Sequence, residues 1–275
     1  MGPEHYFPNV PAESLAIEGR LRKEAVSLPE ETRCHLYEIL SEAHEAFVST
    51  RFELQDRFLI AYQRGQQIAF PRPLPMVKHS HILCDYEEWL EHKYALPEFV
   101  GVEAGDVVID CGAYVGGFSL SAAKIAGHLH AFEPAPDNFA CLRRNLGQFG
   151  NVTLTQSGLY STTQTMTLNI SGSSVEHSLL RPDDGEPIDT QQIEVVALSD
   201  YCLQHGIERI DFLKLEAEGV EPEIFDGLGF LQPRKLAIDV SPEREGLSPA
   251  SHFQTILPQL GYEVRLRGHV MFARR

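Results

Sequence analysis

The chain has 275 residues, of which 43% are hydrophobic, enough for the core of one large domain or of a domain with an extension. It carries 39 acidic against 23 basic side chains, a formal charge of −16, which argues against a nucleic-acid partner because phosphates require a dense Lys/Arg surface. No run approaches the roughly 18 consecutive apolar residues of a membrane span, and the start Met-Gly-Pro-Glu-His-Tyr lacks the regions of a signal peptide, so the expectation is a cytoplasmic protein with no membrane partner.

Residues 1 to about 30 mix prolines with charges and read as an arm with one short helix around 12–26. From Glu31 to Gln63, apolar residues including Leu36, Leu40, Phe47, Leu54 and Phe58 recur near helical spacing, predicting two amphipathic helices. Pro71, Pro73 and Pro75 mark a linker or stiff turn, and a further helix is expected over 85–94. Residues 1–85 thus read as a mainly helical extension, with a lid and a dimer contact as its two open roles. From Val100 onward, strand and helix patterns alternate, which implies a parallel sheet over 86–275. Strands are expected at 106–110, 128–132, 152–156, 210–215 and 235–240, with a terminal pair at 261–266 and 269–273 that reverses at Gly268. Helices should fill 118–126, 136–148, 198–206, 220–229 and 250–259. Between the third and fourth main strands, an insertion at 158–197 contains a predicted hairpin of 165–170 with 192–196, and a polar tip at 171–187.

The most informative stretch is Val107 to Phe118, in which an apolar strand ends at Asp110 and is succeeded by Gly112, Gly116 and Gly117 and a helix. A second strand ends at Glu133. This is a βαβ nucleotide-binding unit, and its ligand belongs at the strand ends. The glycines fit neither diphosphate-binding spacing, and a carboxylate at the turn repels phosphate but suits a ligand carrying an ammonium and a sulfonium. S-adenosylmethionine fits. Its carboxylate can lie near the helix N-terminus, its cationic groups near Asp110, and its ribose hydroxyls on Glu133. The competing reading gives the glycines a packing role alone.

Gly105 to Ala113 with Gly116, Ala131-Phe-Glu133-Pro134 with Asn138 and Arg144-Asn-Leu146, Ser173-Ser174, and above all Ile210 to Glu221 resemble the FkbM-type class I S-adenosylmethionine-dependent methyltransferases over about residues 86–262. The resemblance implies a Rossmann-like sheet with an antiparallel last strand, and methyl transfer, commonly to oxygen of a natural-product or sugar precursor. It places Asp110, Gly112, Ala113 and Gly116 at the methionine end of the cofactor, Glu133 and Pro134 at the ribose, and Gln156, Ser157 and Gly158 near the adenine. Glu216 stands where the family has Asp in its K-I-D-x-E-G motif, whereas Glu218 and Gly219 match directly.

An alcohol acceptor benefits from a general base. Glu216 and Glu218 end the fourth strand at the ligand edge of the sheet, where they hold the cofactor's ammonium, contact the acceptor, or cap the next helix together with Glu221 and Glu223. Asp239, which ends the fifth strand, and His177 in the insertion are further base candidates, while Lys214 is read as neutralising a neighbouring acid. His79-x-His81 and His128-x-His130 have same-face strand spacing but no third ligand, and the five cysteines form no C-x-x-C pair, so no metal site is expected. The leading reading is a small-molecule O-methyltransferase. An N-methyltransferase of a peptide or amine and a non-catalytic cofactor-binding module are the alternatives.

Overall fold

A computed structural model describes residues 10–170, 177–179, 189–244 and 246–275; the tip of the insertion and Ser173-Ser174 lie outside them. The chain divides into two compact units, Met1–Lys93 and Tyr94–Arg275. Among the described residues, no helix is long and apolar enough to cross a membrane.

The first unit contains helices α1 (Ala12–Ala25) and α2 (Glu30–Ala43), strands β1 (Thr50–Leu54), β2 (Phe58–Gln63) and β3 (Gln66–Pro71), then α3 (Met76–Leu83) and α4 (Tyr86–Tyr94). Among its described residues the first unit holds four helices, but the second amphipathic helix predicted before Gln63 is instead an antiparallel meander in the order β1-β2-β3. The apolar residues at 58–61 are a short run, which helical and strand spacing fit equally well, and the turn at 64–65 decides between them. Arg64 and Gly65 both take positive φ, 49° and 77°, the backbone of a tight hairpin turn. His79 and His81 lie on α3 rather than on a strand. His79 is fully buried against the Tyr37 ring at 4.8 Å, and burial lowers its pKa to about 4.

The second unit is an α/β layer structure. Strands β4 (Val107–Cys111), β5 (His128–Phe132), β6 (Val152–Thr155), β10 (Phe212–Leu215), β11 (Lys235–Asp239), β12 (Glu263–Arg267) and β13 (Val270–Arg274) form a seven-stranded sheet ordered β12-β13-β11-β10-β4-β5-β6. Strand β13 pairs antiparallel with both neighbours, and β4, β5, β6, β10 and β11 are parallel, giving the Rossmann-like sheet with an antiparallel last strand. Strands β4, β10 and β11 are buried along almost their whole length, as strands in the middle of a parallel sheet are, and most of their residues are accordingly apolar apart from Asp110, Lys214, Lys235 and Asp239. The connecting helices are α5 (Gly117–Ala123), α6 (Pro136–Leu146), α7 (Leu198–His205), α8 (Glu221–Asp226) and α9 (Ala250–Gln259). Within the insertion, β7 (Gly158–Tyr160), β8 (Gln164–Ile170) and β9 (Asp189–Ala197) build a second sheet, in which β8 and β9 form the predicted antiparallel hairpin from Gln164↔Val195 to Ile170↔Asp189.

Chain order reverses around β4. Strand β5 lies on one side and β10 on the other, so their carboxyl ends flank a crevice at the switch point of the sheet, where an open α/β fold places its ligand.

Candidate active site

The turn after β4 is built from left-handed backbone. Gly112, Tyr114 and Gly116 have φ of 71°, 52° and 92°. A Cβ on Gly112 would lie 1.8 Å from the Glu216 carbonyl oxygen, and one on Gly116 would lie 2.8 Å from Leu142 and Leu146. These glycines therefore let the turn press against β10 and α6, so they do have the packing role that competes with ligand binding. Ala113 is buried, and its N–H donates to the Phe132 carbonyl at 2.9 Å.

Glu133 ends β5 and faces this turn. Its Oε2 accepts the Tyr114 N–H at 2.9 Å, while Oε1 accepts from the Ala135 N–H at 2.9 Å and from Asn138 at 3.4 Å. A carboxylate has about four lone-pair sites, so acceptor capacity remains for a ligand hydroxyl. Burial raises its pKa to about 7 against the opposing pull of these donors. Pro134 beside it is half-buried, and Gln156 after β6 is exposed. Ser157 is buried and donates to the carbonyls of Gly158 and Glu194, both at 2.9 Å. Its hydroxyl is thereby committed to the insertion sheet. Gly158 packs against Val195.

Asp110 was expected beside the ligand's cationic groups. It is instead fully buried, with Oδ2 taking the Ser119 hydroxyl at 2.6 Å and Oδ1 facing Lys214 Nζ at 3.0 Å. Lys214 projects from β10 at 2% exposure, contacts Glu216 at 3.2 Å, and donates to the carbonyls of Cys111 and Gly112 at 3.1 and 2.7 Å. Burial pulls the pKa of Lys214 down, but Asp110 and Glu216 outweigh it and the net shift is upward. The lysine thus neutralises acids as the sequence suggested, and it also ties the glycine turn to β10. The Tyr94 ring lies 5.2 Å from the ammonium.

Beyond β10 the backbone runs through Glu216, Ala217, Glu218 and Gly219 into α8. The capping role falls to Glu221, whose Oε1 accepts the N–H groups of Ala217 at 2.7 Å and Gly219 at 3.4 Å. Glu216 and Glu218 are thereby released from capping and are both partly exposed at the strand end. Glu218 stands at φ 53°, and its pKa is well above the usual carboxylate range because of burial first and then the charges of Glu243, Glu216, Glu221 and Asp239. Asp239 ends β11 at 2% exposure, and its Oδ1 accepts the Ser241 N–H at 2.8 Å and the Ser241 hydroxyl, so it is engaged in holding a turn.

The insertion reaches the same edge. His177 is half-buried near Asp137 of α6; burial lowers its pKa, with Asp137 opposing. Ser178 is buried, bridges to Asn169 of β8 through backbone bonds of 2.8 and 3.2 Å, and donates its hydroxyl to the Glu218 carbonyl at 2.9 Å. Sequence reasoning did not find Ser119, Tyr94 or Ser178, because nothing in their local pattern separates them from ordinary helix and loop residues. Among the described residues, no group of three or more His, Cys, Asp or Glu side chains is arranged to hold a metal.

The donor set fits S-adenosylmethionine in chemistry. Glu133 has an acceptor site left by count, and Glu216, although it contacts Lys214, is partly exposed at the end of β10, so carboxylates of the kind that hydroxyls and a cationic group require are present at this edge.

The methyltransferase FkbM domain model matches residues 110–264. The 31-O-demethyl-FK506 methyltransferase FkbM of Streptomyces tacrolimicus is 31% identical, over 52% of this chain and 67% of that one. Methyltransferase sdnD of Sordaria araneosa is 28% identical, over 52% and 66%. The chain thus spans about two-thirds of the length of these curated relatives. The crystal structure of methyltransferase FkbM from Methylobacillus flagellatus superposes with a TM-score of 0.44 at 18% identity, covering 72% of this chain and 53% of that one.

Proposed function

Because the chain belongs to the FkbM methyltransferase family, whose cofactor is S-adenosylmethionine, we propose that it transfers a methyl group to a hydroxyl of a small natural-product or sugar precursor, with Glu218 as the base. The observation that carries this reading is Glu218 itself, a partly exposed carboxylate at the open end of β10 whose proton affinity is raised by burial and by four neighbouring acids. A carboxylate with raised proton affinity takes up a proton more readily than an ordinary one, which is what a general base must do.

When bound, S-adenosylmethionine supplies a methyl group activated by its sulfonium. The chain's own residues then have three tasks. Glu133 accepts the ribose hydroxyls and fixes the cofactor's rotation, and the turn at 112–116 holds its amino-acid end against the sheet. Glu216 offers the counter-charge for the cationic end. Glu218 would hold the acceptor's hydroxyl and take its proton, and the crevice would fix that oxygen in line with the activated methyl group, a placement that supplies much of the acceleration. His177 is a second candidate to hold that proton, from the insertion side. A relative named for 31-O-demethyl-FK506 gives the oxygen acceptor additional support.

The test is a screen of hydroxylated natural products and sugars alongside primary and secondary amines, with S-adenosylmethionine present throughout. S-adenosylhomocysteine release is monitored together with the mass and linkage of any methylated product. Methyl ethers are the expected products. Methylation of amines alone would move the acceptor to nitrogen, and cofactor binding without turnover on any acceptor would favour the non-catalytic module.

A further inference from the structure

The insertion at 158–197 has its own three-stranded sheet, and among its described residues Ser178 joins it to the loop that carries the proposed base. We propose that Ser178 is a positioning residue, whose hydroxyl holds the Glu218 loop in its working conformation and thereby couples the insertion to the base. The role of Glu218 rests on the proposed function; the mechanical link does not.

The loop from 216 to 219 is tied at several of its backbone polar groups. The Glu216 N–H donates to the Cys111 carbonyl at 3.2 Å. Glu221 takes the N–H groups of Ala217 and Gly219, and Arg244 donates to the Gly219 carbonyl at 3.3 Å. All of these partners belong to the main sheet, α8 or the loop after β11. Ser178 differs from them in coming from the insertion, and it holds the carbonyl of Glu218 itself.

That carbonyl is the sensitive point. Glu218 and Gly219 both have positive φ, 53° and 95°, and a non-glycine residue in this region persists only where its surroundings fix it. Ser178 is itself anchored, through its paired backbone bonds to Asn169 at the end of β8 and a side-chain bond from Asn169 Nδ2 at 3.3 Å. A displacement of the hairpin by an acceptor is therefore transmitted through one buried hydroxyl to the loop that sets where the Glu218 carboxylate points. Four acids bear on that carboxylate, with the Arg244 guanidinium on the neighbouring Gly219 carbonyl. The acids are Glu243 and Asp239 from the β11 side, Glu216 from the end of β10, and Glu221 from α8. Releasing the loop changes its distance to all four at once.

The experiment needs no acceptor. The full chain, labelled with carbon-13 at the Glu side-chain carboxyls, is titrated by NMR as wild type, Ser178→Ala and Ser178→Thr, with Glu218→Gln assigning the resonance. S-adenosylhomocysteine affinity is measured on each. The Ala variant should move the Glu218 titration down by at least one pH unit with cofactor affinity within twofold of wild type. The Thr variant, which keeps a hydroxyl in an extended bridge that suits a β-branched residue, should restore it. An unchanged titration in Ser178→Ala overturns the link, as does a shift that Thr fails to rescue. If the titration moves as expected but Glu218→Gln retains full turnover on an acceptor from the screen, the link stands and the base assignment falls.

Discussion

At the scale of single residues, two acids that look alike in sequence have opposite fates. Asp110 and Glu133 each stand at a strand end before a turn, yet Asp110 is fully buried against the Lys214 ammonium and the Ser119 hydroxyl, while Glu133 is held by the backbone N–H groups of Tyr114 and Ala135. The difference was not legible, because it depends on a lysine about a hundred positions away that parallel pairing sets beside Asp110, with Lys214↔Asp110 in register. Cofactor affinity should consequently depend on pH through Glu133. Its pKa of about 7 means that the carboxylate is protonated on the acid side, where it loses strength as an acceptor, so S-adenosylhomocysteine should bind more tightly as pH rises from 6 to 8. Glu133→Gln should abolish that dependence and weaken binding by about 1.5–3 kcal/mol, the usual worth of hydrogen bonds to a charged group. Calorimetric titrations at three pH values decide the matter, and a flat wild-type profile would place the ribose elsewhere. Glu216→Gln leaves Lys214 paired with Asp110, so the fold should survive while S-adenosylmethionine affinity falls at least tenfold, about 1.4 kcal/mol. Unchanged affinity would remove Glu216 from the cofactor's cationic end.

At the scale of elements, the central strands of the main sheet were legible because burial leaves short, mostly apolar runs such as Val107–Ile109 and Leu236–Ile238, each ending at an acid. The meander β1-β2-β3 was not, since a short apolar segment satisfies two periods and only the Arg64-Gly65 turn distinguishes them. The glycine turn after β4 gave its position correctly and its reason incompletely. Left-handed backbone is shared by Gly105 and Gly112, with φ of 85° and 71°, but a Cβ on Gly105 meets nothing within 4 Å whereas one on Gly112 runs into the Glu216 carbonyl. Gly105→Ala should then cost only the conformational penalty of about 1–2 kcal/mol. Gly112→Ala should cost at least about 1 kcal/mol beyond it, because the opposing atom is the Glu216 backbone carbonyl and not the far end of a side chain. Urea denaturation monitored by circular dichroism measures both, and equal losses would mean that the close approach of the turn to β10 is not what demands glycine at 112.

At the scale of the whole molecule, buried ionisable groups are distributed unequally between the two units. In Met1–Lys93, burial lowers the His79 pKa to about 4. A neutral folded imidazole favours the fold above the unfolded histidine pKa, and that contribution is lost as pH falls from about 6.5 toward 4. In Tyr94–Arg275, burial raises Glu133 and Glu221 to about 7 and raises Glu218 as well, while it lowers His130 to about 4 and also lowers His177. For each carboxyl the sign is reversed, since the fold favours the protonated form and its contribution is lost as pH climbs from the unfolded value toward 7. Between pH 5 and 6 the first unit therefore gains stability with rising pH, by up to about 1.4 kcal/mol per pH unit for one proton, while in the second the three acids outweigh the two histidines and stability falls. The chain offers a reporter for separating them, because its single tryptophan, Trp89, is buried in the first unit. Urea midpoints from Trp89 fluorescence should rise from pH 5 to 6, and those from far-ultraviolet circular dichroism, dominated by the larger unit, should fall. Midpoints that move together in either direction would show that the two sets of buried charges do not act separately.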